Sequence, residues 1–77
     1  MKAAASEQHL SIRECDGFTS QRPLGNEQEA KQVIGRVLGQ FISTGWKLYH
    51  GWGNPNVWIV QRESEHVVIE RITLWVN

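Results

Sequence analysis

The stretch Asn26–Trp46, NEQEAKQVIGRVLGQFISTGW, decides the fold of this chain. Its apolar residues fall at Ala30, Val33, Ile34, Val37, Leu38, Phe41 and Ile42, the spacing of a helix buried along one side. Asn26 is suited to cap this helix, with Glu29 as the capping-box partner. Gly45 is the expected stop, because glycine enters the left-handed cap conformation without a Cβ penalty. The helix is predicted from about Glu27 to Thr44, with an apolar arc of about half its circumference, wide enough to lie across a sheet. Gly35 and Gly39 fall one turn apart on the flank beside Ile42, and each costs about 1 kcal/mol relative to alanine in a helix interior. They either admit another backbone or are surface glycines, and the second is the expectation.

On either side of the helix the pattern has period two. His9–Cys15 alternates apolar and polar, which predicts a short strand with Leu10 and Ile12 inward. Residues 1–8 are small and polar and are expected to be disordered. Asp16-Gly17 marks a turn. Phe18–Gly25 reads as irregular because of Pro23 and Gly25, with Phe18 and Leu24 pinning the loop to the core. After the helix, Trp46–His50, Val57–Glu63 and Val67–Val76 read as strands, with a turn-rich loop, Gly51–Asn56, after the first of them. If Ser64-Glu65 form a two-residue loop, Val60 pairs with Ile69 and Trp58 with Arg71. The expectation is an α+β domain covering residues 1–77, in the order β-α-β-β-β. One helix lies on a four-stranded, mainly antiparallel sheet. Its long last strand is central, between the first strand and Val57–Glu63, and Trp46–His50 is outermost.

Composition narrows the function classes. A chain of 77 residues leaves roughly 40% of its unfolded surface exposed after folding, so its stability is thin without a staple or partner. One cysteine excludes an internal disulfide and fits a reducing compartment. Lys+Arg and Asp+Glu balance at 8 each, so the chain lacks the global field of a phosphate-backbone binder. The first residues carry no apolar core of a secretory signal, and no apolar run is long enough to span a membrane. A cytoplasmic protein without membrane association is therefore expected.

Alternation sorts the last two strands into two faces. One carries Val57, Ile59, Val68, Ile72, Leu74 and Val76, an aliphatic set suited to lie under the helix. The other carries Trp58, Val60, Val67, Ile69, Arg71 and Trp75. A single helix covers a single face, so the second set is expected to stay open as an association surface, and Trp and Arg are enriched at interface hot spots. The candidate partner-binding residues are Trp58, Val60, Ile69, Arg71 and Trp75, with Trp52 from the loop. In that loop, Trp52 beside Asn54 and Asn56 is read as a lid on the core in preference to a sugar-binding platform.

His9, Cys15, Asp16, His50, Glu65, His66 and Glu70 show neither Cys-x-x-Cys nor His-x-x-x-His spacing, so no metal and no cofactor is expected. Cys15 with His50 or His66 would make a small enzyme, but no cation or helix start flanks Cys15 to lower its pKa. Trp46, Lys47, Tyr49, Trp52, Trp58, Arg62 and Arg71 interleave aromatics and cations as single-stranded nucleic-acid platforms do. Charge neutrality and the carboxylates of Glu63, Glu65 and Glu70 oppose that alternative.

Gly45-Trp46-Lys47-Leu48, a helix end leading into a hairpin, resembles a family of small bacterial domains of unknown function over roughly residues 30–62. The resemblance implies the helix-then-hairpin topology and assigns no site residue. The expected function is thus a non-enzymatic module that binds another protein and forms a homodimer. Such a module is compatible with a phage or mobile-element inhibitor or a regulatory adaptor.

Overall fold

The computed structural model describes residues 5–14, 16–51 and 53–76, and at Ala5, Ser6, Trp75 and Val76 the backbone alone. It is an α+β fold. The elements are β1 (Ala5–Glu14), β2 (Thr19–Pro23), α1 (Glu27–Ser43), β3 (Lys47–His50), β4 (Val57–Arg62) and β5 (Glu65–Val76). The strands form one five-stranded sheet in the order β2-β1-β5-β4-β3, with every neighbouring pair antiparallel.

The predicted order of four strands is present, with β5 central. The fifth strand is a correction. Thr19–Pro23, expected to be irregular, pairs with β1 from His9–Pro23 to Arg13–Thr19. Pro23 is accommodated because it ends an edge strand, where a missing N–H breaks no ladder. Leu24 is 1% exposed and anchors the segment, but Phe18 is 61% exposed and pins nothing. The first strand also starts earlier than expected: residues 5–8, assigned to a disordered start, pair with Thr73–Val76.

Helix α1 forms where its signals place it. The Asn26 side-chain oxygen accepts from the Glu29 N–H at 2.8 Å, and its amide donates to Glu29 Oε1 at 2.8 Å. Glu29 therefore closes the box on the cap's side chain. At the other end Gly45 has φ +92°. Its N–H donates to Ile42 O at 3.1 Å, while the Trp46 N–H donates to Phe41 O at 3.1 Å. These two bonds make a Schellman motif, completed by a hydrophobic contact across it. Here that contact is Trp46 edge-on to Phe41, with ring centroids 5.3 Å apart.

The core lies between α1 and one face of the sheet. Ala30, Ile34 and Val37 of the helix meet Leu10, Val60, Val67 and Ile69, with Trp58, Ile12 and Phe41 packed at the margin. This reverses the expected assignment of faces. Trp58, Val60 and Ile69 lie under the helix, and Val60 and Ile69 are completely buried. The β4–β5 register is also shifted, with Val60 opposite Val67 and Trp58 opposite Ile69. That is a two-residue slip, so the grouping of residues into faces survives. Alternation says which residues share a face but not which face the helix takes. That choice follows from the handedness of the β2–α1–β3 crossover, which cannot be applied while β2 is read as loop.

Gly35 and Gly39 are exposed, and a Cβ built on either would meet nothing within 4 Å. They are surface glycines and receive no backbone. Gly35→Ala and Gly39→Ala are each expected to stabilise the fold by about 0.5–1 kcal/mol, by restricting the unfolded chain and adding helix propensity. Urea unfolding of the single and double variants measures the gain.

Candidate binding face

The face opposite α1 has no element over it among the described residues. Cross-strand register builds it row by row. Tyr49 of β3, Ile59 of β4, Val68 of β5 and Arg13 of β1 stand side by side in one row. The next two rows are Val57–Glu70–Ser11 and Ile72–His9, followed by Leu74–Glu7. Tyr49 is 48% and Leu74 38% exposed, while Ile59, Val68 and Ile72 are half-buried. Side chains on one face of an antiparallel pair touch across the strands, so Tyr49, Ile59 and Val68 form an apolar row, and Ile72 and Leu74 lie beyond Glu70 on the same face of β5.

At the β4 end the face is closed by the turn Gly51–Asn56. The Gly51 N–H donates to Val57 O at 2.9 Å and the Val57 N–H to Asn54 O at 3.2 Å. Any Cβ on Gly51 would overlap Val57 Cγ1, so glycine is what lets this turn fold back on the strand and bury Val57.

Past this same end of β4, where the Arg71 N–H donates to Asn56 O at 2.8 Å, the sheet narrows. β4 pairs with β5 only as far as Glu70, and β2 with β1 only as far as His9. Beyond these, and beyond the Leu24 N–H bond to Gln8 O at 2.8 Å, Ala5–Glu7 pair only with Leu74–Val76 among the described residues. A two-stranded ribbon of this kind is marginal in water without a covering surface. Its polar side is held by Arg71, which donates to Gln8 Oε1 and to both carboxylate oxygens of Glu27, through Nη1 at 3.1 Å. An open cleft of about 260 Å³ lies there, lined by Gln8, Asn56, Arg71 and Thr73.

Arg71 thus staples the start of α1 to β5 instead of presenting a free cation. Its hydrogen bond holds the Glu27 carboxyl below the ordinary glutamate range, and the Arg71 guanidinium is raised in turn. A carboxyl depressed in the folded state stabilises at pH values above its unfolded pKa, about 4.3 for glutamate. The contribution is lost as pH falls through the folded value. The stability gap between the native chain and Glu27→Gln is therefore expected to be present at pH 7 and to close in strong acid. Denaturation midpoints measured at both ends of that range test this, and a gap independent of pH would contradict it.

The candidate residues read from sequence are thereby dispersed. Trp58, Val60 and Ile69 belong to the core, and Arg71 is committed to Glu27 and Gln8. Trp52 lies outside the described residues, as do Cys15 and the side chain of Trp75. The aromatic–cation set is also divided. Arg62 sits over Trp46, its guanidinium carbon 4.6 Å from the ring centroid, and donates to Thr44 O at 3.2 Å. Lys47 and Tyr49, by contrast, point to the open side of β3. Among the described residues no group of three or more His, Cys, Asp or Glu side chains could hold a metal ion, and no helix is long and apolar enough to cross a membrane.

The sequence pattern predicts Ile59, Val68, Ile72 and Leu74 beneath the helix and Tyr49 in an aromatic–cation platform, whereas the structure sets all five on the open face. The signal that marks them as open was present as alternation, and lacked only the side. No protein-family model, no curated protein and no solved structure matches the chain, so the face is read from its own chemistry.

Proposed function

We propose that the chain is a non-enzymatic protein-binding module that acts through the uncovered face of its sheet and forms a homodimer there. The observation that carries this reading is the apolar row Tyr49–Ile59–Val68, with Ile72 and Leu74 beyond Glu70, on the side that α1 does not cover. Exposed contiguous apolar surface on a small domain marks association sites. On the opposite face Val60, Val67 and Ile69 are already packed against the helix, and Leu48 at the β3 edge is the apolar strand residue left exposed there among the described residues. Zero formal charge removes the long-range repulsion that keeps many small domains apart.

Magnitude sets the kind of dimer. Five strands about 4.8 Å apart, with lengths set by about 3.3 Å per residue, give a face on the order of 600 Å². Standard interfaces bury about 800 Å² per partner. The dimer is accordingly weak and concentration-dependent. Sedimentation velocity across the micromolar range is expected to show a rise from monomer to dimer mass. The double variant Tyr49→Thr, Leu74→Thr, which changes two exposed residues without lowering strand propensity, is expected to remain monomeric with an unchanged circular dichroism spectrum. A native chain that stays monomeric up to hundreds of micromolar overturns the reading.

A further inference from the structure

We infer that the second copy docks with its strands running antiparallel to those of the first, so that Arg13 of each copy meets the partner's Glu7. This deepens the proposed self-association and rests on it. Charge on the open face is sorted along the strands. Arg13 stands level with Val68, and Lys47 lies one row further toward the β4–β5 turn. Glu70 and Glu7 lie toward the opposite end, Glu7 level with Leu74. Arg13 and Glu7 share one strand, six positions and about 20 Å apart, and both are exposed.

Two sheets packed face to face with aligned strands have two simple two-fold arrangements. A two-fold axis parallel to the strands keeps each row over itself, which stacks cationic end on cationic end. An axis lying across the strands reverses the rows. Placed between the Glu70 and Ile72 rows, it sets Arg13 over the partner's Glu7, Val68 over the partner's Leu74 and Ser11 over the partner's His9. Glu70 then lies diagonal to the partner's His9. Like charges across an interface exclude the wrong register more strongly than opposite charges reward the right one, so the sorting selects the second arrangement.

The narrow end of the sheet supports the same choice independently. The ribbon Ala5–Glu7 with Leu74–Val76 has no strand beside it among the described residues. The reversed arrangement lays each ribbon on the broad part of the partner's sheet, around Val68. Glu7 also leans on its neighbour, with Oε2 3.3 Å from His9 Nε2, so its carboxylate is already held on the face that docks.

Sedimentation velocity on the full chain, at low ionic strength and over a concentration series, tests the register. Arg13→Glu alone and Glu7→Arg alone are each expected to weaken the dimer about tenfold, since each places two like-charge contacts in a symmetric interface. The double variant Glu7→Arg, Arg13→Glu is expected to recover to within about threefold, because the same pair is remade with its signs exchanged. Arg36→Glu, on the exposed side of α1, changes net charge equally and is expected to have no effect. A dimer indifferent to both single changes, a double variant that stays weak, or equal weakening by Arg36→Glu overturns this register. None of these results removes the self-association itself. A native chain that is monomeric throughout overturns the proposed function as well.

Discussion

Ile69→Ala is expected to cost about 2–5 kcal/mol, while Val68→Ala next to it costs about 1 kcal/mol or less. The two residues are adjacent on the central strand, and their side chains leave it on opposite faces. Ile69 is completely buried and packs with Leu10, Ile34 and Val60 beneath the helix, so truncation leaves a cavity that the rigid centre of the sheet cannot close. Val68 stands half-buried on the open face, where the two lost methyl groups leave no void. A domain of this size has about 4–12 kcal/mol of stability in all, so Ile69→Ala consumes a large share of it. Urea unfolding at low micromolar concentration, below dimer formation, isolates the monomer's stability, with an unchanged m-value showing that only stability has moved. The opposite ranking of the two variants would return the helix to the other face.

That contrast also shows how far residues alone reach in this chain. The helix was legible to within a residue, because its caps, Asn26 and Gly45, are local chemistry that tertiary context does not override. The sorting of Val60 with Ile69, and of Ile59 with Val68, was legible too, since a two-residue slip in register preserves it. Which set faces the helix was not, because both are apolar enough to form a core. The choice depends on β2, and β2 left little trace in the sequence. All of its residues are exposed, so Thr19–Pro23 carries no apolar alternation, and Pro23 argued against a strand. The site followed the same fate. Aromatic and arginine content single out Trp58 and Arg71, whose roles are packing and stapling. The plainer residues Tyr49, Ile59 and Leu74 took their significance only from where the crossover leaves them. The uncovered face was inferable from one helix on one sheet; its members were not.

Trp46→Ala is expected to cost about 2–3 kcal/mol, less than a fully buried tryptophan because the ring is only half-buried. Three interactions converge on this side chain. It closes the Schellman turn by its edge-on contact with Phe41, it receives the Arg62 guanidinium on its face, and it walls a cleft of about 250 Å³ with Gln40, Phe41 and Thr44. Arg62 gains a second purpose from the same position. The last turn of α1 contains no basic residue, and Arg62 supplies the missing cation from β4 by donating to Thr44 O, which favours the negative end of the helix dipole. A double-mutant cycle between Trp46→Leu and Arg62→Met separates these terms, since leucine keeps much of the apolar burial and loses the aromatic face. The coupling is expected to be about 0.5–1 kcal/mol, the range of a partly exposed cation–π pair. Zero coupling would mean that Arg62 acts on the helix end alone. In either case Trp46 lies on the helix side of the sheet, so its loss should leave the dimerisation constant of the folded fraction unchanged. A fall in that constant at full folding would show that the helix end belongs to the binding surface.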